Sequence, residues 1–189
     1  MTFQIIVGWI GAVLSVVSCL PYIRDIFLGK TKPHAFSWLI WSILSGVGFA
    51  AQLVEHGGAG SWVLGVATPF CVFVFFLSLW RGERNYVMLD WISLFGALIS
   101  IMLWWVTSDP TWSVVLITLI DVIAFVPTFR KAYAKPHEET ISMYSMGALK
   151  FFLSIVALES FSIATWFYPA VLVLANTAFA WMLIYRRKI

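Results

Sequence analysis

Two charged side chains stand where a charge is costly. Asp121 lies nine residues on from Trp112 inside an apolar run, and Lys150 eight on from Ser142 inside the next. At about 1.5 Å of rise per helical residue, both fall near the middle of a hydrocarbon layer about 30 Å thick. A charged side chain there costs at least about 2.5–3.5 kcal/mol on insertion scales, so such residues are functional by default. Opposite sign and equal depth suggest a pair. Two roles fit it: a substrate-binding or proton-coupled pair that opens and closes in a cycle, or a permanent salt bridge tying the fifth and sixth helices. Asn176, ten residues from Trp166, and Cys71, nine from Trp62, reach the same depth, and Ser45 a similar one. Asn176 brings both a donor and an acceptor. Asp121, Lys150, Asn176, Cys71 and Ser45 are therefore the candidate substrate-binding residues.

Other groups read as support. Trp41, Tyr144 and Phe151 could stack on a ring-shaped solute or simply pack. Gln52 could face a cavity. Asp90 suits the first turn of a helix, where a carboxylate meets the helix dipole. Glu55 and Glu159 end helices on a common side. Gly46, Gly48 and Ala50 read as a close-packing face. His34 and His137 are loop histidines outside any cluster, and Cys19 and Cys71 lack ligand spacing, so neither a metal nor another cofactor is expected. No HExxH motif and no nucleophile paired with a base at depth occurs, so an enzyme is not expected.

The elements that must hold these residues follow from composition. Of 189 residues, 61% are hydrophobic and only 11% charged, against about 25% charged in soluble domains. Such a chain belongs in a bilayer, and its net charge of +3 reflects topology rather than nucleic-acid binding. Seven apolar segments have spanning length: 3–27, 36–54, 62–80, 88–106, 112–131, 141–159 and 165–185. The first is too long for a signal-peptide core and has no basic residue before it, so it reads as a retained helix. Eleven of the twelve Lys and Arg residues, among them Arg24, Arg81, Arg84, Arg130, Lys131 and Arg186, fall in alternate loops and the C-terminus. By the positive-inside rule that side is cytoplasmic, which puts the N-terminus outside. Trp38, Trp62, Trp80, Trp91, Trp105, Trp112, Trp166 and Trp181 fall near helix ends, as interfacial anchors do.

The chain also repeats itself. Pro21-Tyr22-Ile23-Arg24, Lys30-Thr31-Lys32-Pro33-His34 and Ser37 have counterparts in Pro127-Thr128-Phe129-Arg130, Lys135-Pro136-His137 and Ser142. Trp80-Arg81 matches Tyr185-Arg186, which sets Cys71 beside Asn176. The expected architecture is all-α: a three-helix repeat over 1–87, a linker helix over 88–107 and a second three-helix repeat over 108–189. A three-span repeat joined by one span points both copies the same way, a parallel repeat used by transporters. Pro21 and Pro127 each free a carbonyl and permit a kink, so they are candidate hinges. Tyr22 and Arg24, with Thr128 and Arg130, would line a cytoplasmic gate.

On these residues the chain resembles the SWEET and PQ-loop transporter superfamily. Pro21, Lys30-Thr31 and Phe36-Ser37 match its signature in the first copy, and Pro127, Lys135 and Thr140-Ile141-Ser142 in the second. Tyr22 and Thr128 stand where the signature has glutamine. The resemblance implies a small-solute transporter or facilitator with its site between the repeats. It further implies that Asn176 contacts substrate, with Cys71 at the partner position. A seven-helix receptor of the same fold, binding a ligand without moving it, is the alternative. The expected partners are the bilayer and a sugar, amino acid or vitamin. Self-association into a homo-oligomer is left open, nucleic acid is not expected, and the compact chain suits a bacterial inner membrane.

Overall fold

The computed structural model describes residues 2–83 and 87–188, and all regular structure among them is helical. Seven α-helices follow one another: α1 (Phe3–Phe27), α2 (Ala35–Val54), α3 (Trp62–Arg81), α4 (Met88–Thr107), α5 (Pro110–Ala134), α6 (Ile141–Val156) and α7 (Ile163–Arg186). Arg84 lies outside the described residues, as does the side chain of Pro127.

Local chemistry sets the breaks. Ser108 ends α4 in a left-handed conformation (φ 53°), and Asp109 then accepts from the Thr111 backbone N–H at 2.8 Å while Pro110 opens α5. A short polar cap followed by proline is a favoured helix start. His34 Nδ1 accepts from Ser37 N at the head of α2, and Asp90 Oδ2 from Val87 N at 2.8 Å at the head of α4.

Six of the helices are long and apolar enough to cross a membrane. The exception corrects the expected sixth span: α6 has 16 residues rather than the nineteen of 141–159. It therefore rises about 24 Å at 1.5 Å per residue. The chain turns back at Ala157, and Glu159 N donates to Gly57 O at 3.2 Å.

The exposed surface has the polarity that lipid requires. α4 turns Asp90, Ser93, Ala97 and Ser100 inward and Trp91, Phe95, Leu98 and Met102 outward. α1 likewise exposes Trp9, Val13, Val16 and Leu20 and buries Gly8, Gly11, Ser15 and Ser18. Small residues inward let backbones approach, and large apolar residues outward meet lipid, the pattern of helices packed in a bilayer. The chain is an all-helical, multi-pass membrane protein by this arrangement.

The helices do not pack in chain order. α3 lies against both α1 and α2, and α7 against both α5 and α6, while α1 and α2, like α5 and α6, share no extensive contact. Across the molecule α1 packs on α6 and α2 on α5, and α4 covers α5 and part of α2. The main core joins Leu44 and Val47 of α2, Val63 and Leu64 of α3, Ile117 and Ile120 of α5, and Tyr168 and Leu172 of α7. Tyr168 packs this tightly because Gly48 has no side chain: a Cβ there would stand 2.7 Å from the tyrosine ring.

A candidate solute site behind an aromatic partition

Among the described residues, Lys32, Arg130, Lys131 and Lys135 gather at one end of the bundle, and a vestibule of about 560 Å³ opens there. Tyr22, Lys32, Trp38, Thr128, Arg130, Lys131, Glu139 and Tyr144 are among its walls. Tyr22, Thr128 and Arg130 thus stand where a gate was expected. Arg24 does not. Two residues along a helix turn the side chain through roughly 200°, so Arg24 points away from the vestibule; it is 69% exposed and pairs with Asp25 at 3.2 Å. α1 continues helically through Pro21.

A second, smaller cavity of about 80 Å³ lies deeper. Ser45, Cys71, Lys150 and Asn176, four of the five expected substrate residues, line it together with Trp41, Tyr144, Phe151 and Tyr168. Trp38, Trp41 and Tyr144 belong to both spaces, so they form the partition between them. Ring contacts hold that partition. Trp38 lies 5.2 Å from Tyr22 and 5.1 Å from Trp41, Trp41 lies 5.4 Å from Phe125, and Tyr144 lies 4.2 Å from Phe179. Trp38 Nε1 also donates to the Tyr22 hydroxyl at 3.3 Å. This corrects one sequence expectation. Trp38 is 2% exposed and serves inside the bundle, whereas Trp80, Trp105 and Trp181 face outward as interfacial anchors do.

Within the inner cavity several donors are already engaged. Asn176 Nδ2 donates to Leu172 O at 2.8 Å, and Ser45 Oγ to Trp41 O at 2.6 Å. Lys150 is the contrast. Its side chain is 6% exposed, its ammonium lies 5.0 Å from the Phe151 ring centroid, and among the described residues no carboxylate pairs with it.

The expected Asp121–Lys150 pair does not form. Asp121 belongs to α5 and Lys150 to α6, and α7 packs between those helices. Asp121 is fully buried behind the cavity wall formed by Trp41 and Phe125, with neither carboxylate oxygen hydrogen-bonded. The Trp41 indole N–H approaches the carboxylate without completing a hydrogen bond. Equal depth along two helices says nothing about azimuth, which is why spacing alone misled.

At the opposite end polar bonds cross the molecule. Gln52 Nε2 donates to Thr165 O at 2.8 Å, and Ser154 Oγ to Gly60 O at 2.7 Å. Gln52 therefore belongs to these bonds rather than to the cavity. At the basic end, sequence reasoning missed Glu139. It is buried between Lys131, 3.3 Å away, and the Tyr144 hydroxyl, which donates to it at 3.2 Å. Lys131 also donates to Lys32 O at 2.9 Å and pairs with Glu83 at 3.5 Å. Burial raises the Glu139 carboxyl above its ordinary range, and the Lys131 ammonium opposes that shift. The available signal was the acidic pair Glu138-Glu139 in an otherwise basic loop. His34 Nε2 and Asp90 Oδ2, 3.7 Å apart, join the entries of α2 and α4, so Asp90 does more than face a helix dipole.

No family model, curated protein or solved structure matches the chain. Its function must be argued from its own geometry.

Proposed function

We propose that this protein is a small-solute transporter or facilitator working by alternating access, built as two parallel three-helix repeats joined by α4 and akin to the SWEET and PQ-loop transporters. In this reading the basic end is cytoplasmic and the N-terminus lies outside, in a bacterial inner membrane. One observation carries it: a vestibule at one end leads to an aromatic partition, an inner cavity lies beyond, and at the far end polar bonds join the two halves. The matching packing of α1–α3 and α5–α7 supports the repeat. The partition and the far-end bonds both bring together residues of the two repeats, so a rocking of one repeat against the other would open one of them while the other stays closed. Pro21 and Pro127 are the proposed hinges.

The test is two-sided accessibility. Thr128→Cys reports the vestibule and Leu158→Cys the far end, each in a background with Cys19 and Cys71 replaced by serine. The proteins are reconstituted in liposomes with a membrane-impermeant maleimide on one side. Transport predicts that a sugar, amino-acid or carboxylate panel contains a solute that shifts labelling reciprocally, one site gaining as the other loses, and that the same solute shows counterflow. Binding without counterflow, with labelling fixed at both sites, would instead establish a receptor.

A further inference from the structure

We propose that the inner cavity binds a small organic anion, a short-chain monocarboxylate, with Lys150 as its counter-cation. This names the substrate class and rests on the transport reading only for the claim that the anion is moved. The argument begins with an unbalanced charge. Taking an ammonium out of water is costly even after the surroundings relax. A cation–π contact such as that with Phe151 returns only part of that cost. The acids that could offset the rest are engaged or absent: Glu139 faces Lys131 on the vestibule side, and Asp121 lies behind the cavity wall. The ionisable groups that face Lys150 are the thiols of Cys19 and Cys71. A carboxylate brought in by the solute supplies the missing charge and accepts the ammonium's hydrogen bonds, the stronger, charge-assisted kind.

The remaining polar groups argue against a sugar. A polyol is held by several neutral donors around it, yet Ser45, Trp38 and Tyr144 direct theirs elsewhere and Asn176 one of its two amide protons, which leaves the Lys150 ammonium as the strongest donor of the cavity. Aromatic walls suit an apolar body instead. Size sets the length of that body. A cavity needs about 10–15 Å³ of space for a water's centre to hold one water, so about 80 Å³ of such space admits a solute of roughly five to eight heavy atoms. The route inward favours the same sign. Lys32, Arg130, Lys131 and Lys135 line the vestibule against Glu83, Asp90 and Glu139, and a surplus of cations concentrates anions at the partition.

The experiment uses the full-length protein in detergent and radiolabelled butyrate, with pyruvate, butyramide, butylamine and glucose as competitors. Saturable butyrate binding should be displaced by pyruvate and not by the amide, amine or sugar. Lys150→Met should weaken binding by about tenfold or more, as loss of a charged hydrogen bond does, and Lys150→Arg should retain most of it. Melting curves check that both variants fold, and Lys150→Met should melt no lower than the parent because it removes an unpaired buried charge. Equal binding of butyrate and butyramide, undiminished binding in folded Lys150→Met, or no carboxylate binding at all would overturn the anion site. Counterflow in liposomes separates the two claims. Butyrate that binds but shows no counterflow removes the transport reading and leaves the anion site. Glucose or amine counterflow that survives Lys150→Met does the reverse.

Discussion

At the scale of single residues, the inner cavity depends on what is small as much as on what is polar. Gly147 lies one turn before Lys150, and a Cβ at that position would stand 2.6 Å from Asn176 Oδ1. Gly147→Ala would gain about 1 kcal/mol of helix propensity. It would also push Asn176 off Leu172 O, a hydrogen bond worth about 1 kcal/mol. The two nearly cancel, so the melting temperature should stay within a few degrees of the parent while solute binding falls. A calorimetric scan beside a binding titration separates those effects; a variant that binds normally would remove Asn176 from the site. Depth was legible at this scale, because residue counts from helix ends put Ser45, Cys71, Lys150 and Asn176 at one level, and they do line one cavity. Direction was not. Asp121 shares the level yet lies behind the wall, since which way a side chain points depends on neighbours distant in sequence.

At the scale of elements, the helices are specified by composition and their ends by local caps. α4 shows how far that goes. Its inward residues Asp90, Ser93, Ala97 and Ser100 repeat at steps of three and four, the spacing of one helix face, and Ser113 of α5 donates to Ser100 O at 3.0 Å. Ala97 is fully buried in the core. Ala97→Leu should therefore overpack the α4–α5 contact at a cost of about 1–3 kcal/mol. Leu98→Ala, one residue on but outward, should change stability by less than half as much. Thermal denaturation in detergent checks the contrast, and equal losses would mean that α4 is turned otherwise. The end of α6 was the least legible boundary. Residues 157 and 158 are as apolar as those before them, and the helix stops because Glu159 returns to bond with Gly57, a contact between segments about a hundred residues apart.

At the scale of the whole molecule, Lys131 of α5, paired with Glu139, reaches Lys32 O and Glu83 in the segments that follow α1 and α3. The groups around the Glu139 carboxylate are Lys131, Glu138, Tyr144 and Tyr22, and Arg187 bonds its backbone carbonyl. Because burial raises its carboxyl in the fold, the folded state holds that proton more tightly than the unfolded chain. Stability therefore falls as pH rises from the ordinary glutamate value of about 4.3 through the raised one. Glu139→Gln should flatten that segment of a melting-temperature profile recorded between about pH 4 and 8. An unchanged slope would assign the pH dependence to other groups. The sequence by itself determined a helical membrane chain, its apolar segments, the gathering of charge at alternate loops and the depth of its polar residues. These follow from composition and from a fixed rise per residue. Only the tertiary structure decided that α3 and α7 sit between their predecessors, that Lys150 and Asp121 stay apart, that Trp38 closes a partition and that Glu139 holds Lys131. Each depends on the rotation of one helix against another, and in lipid that rotation is set by packing between surfaces far apart in the chain.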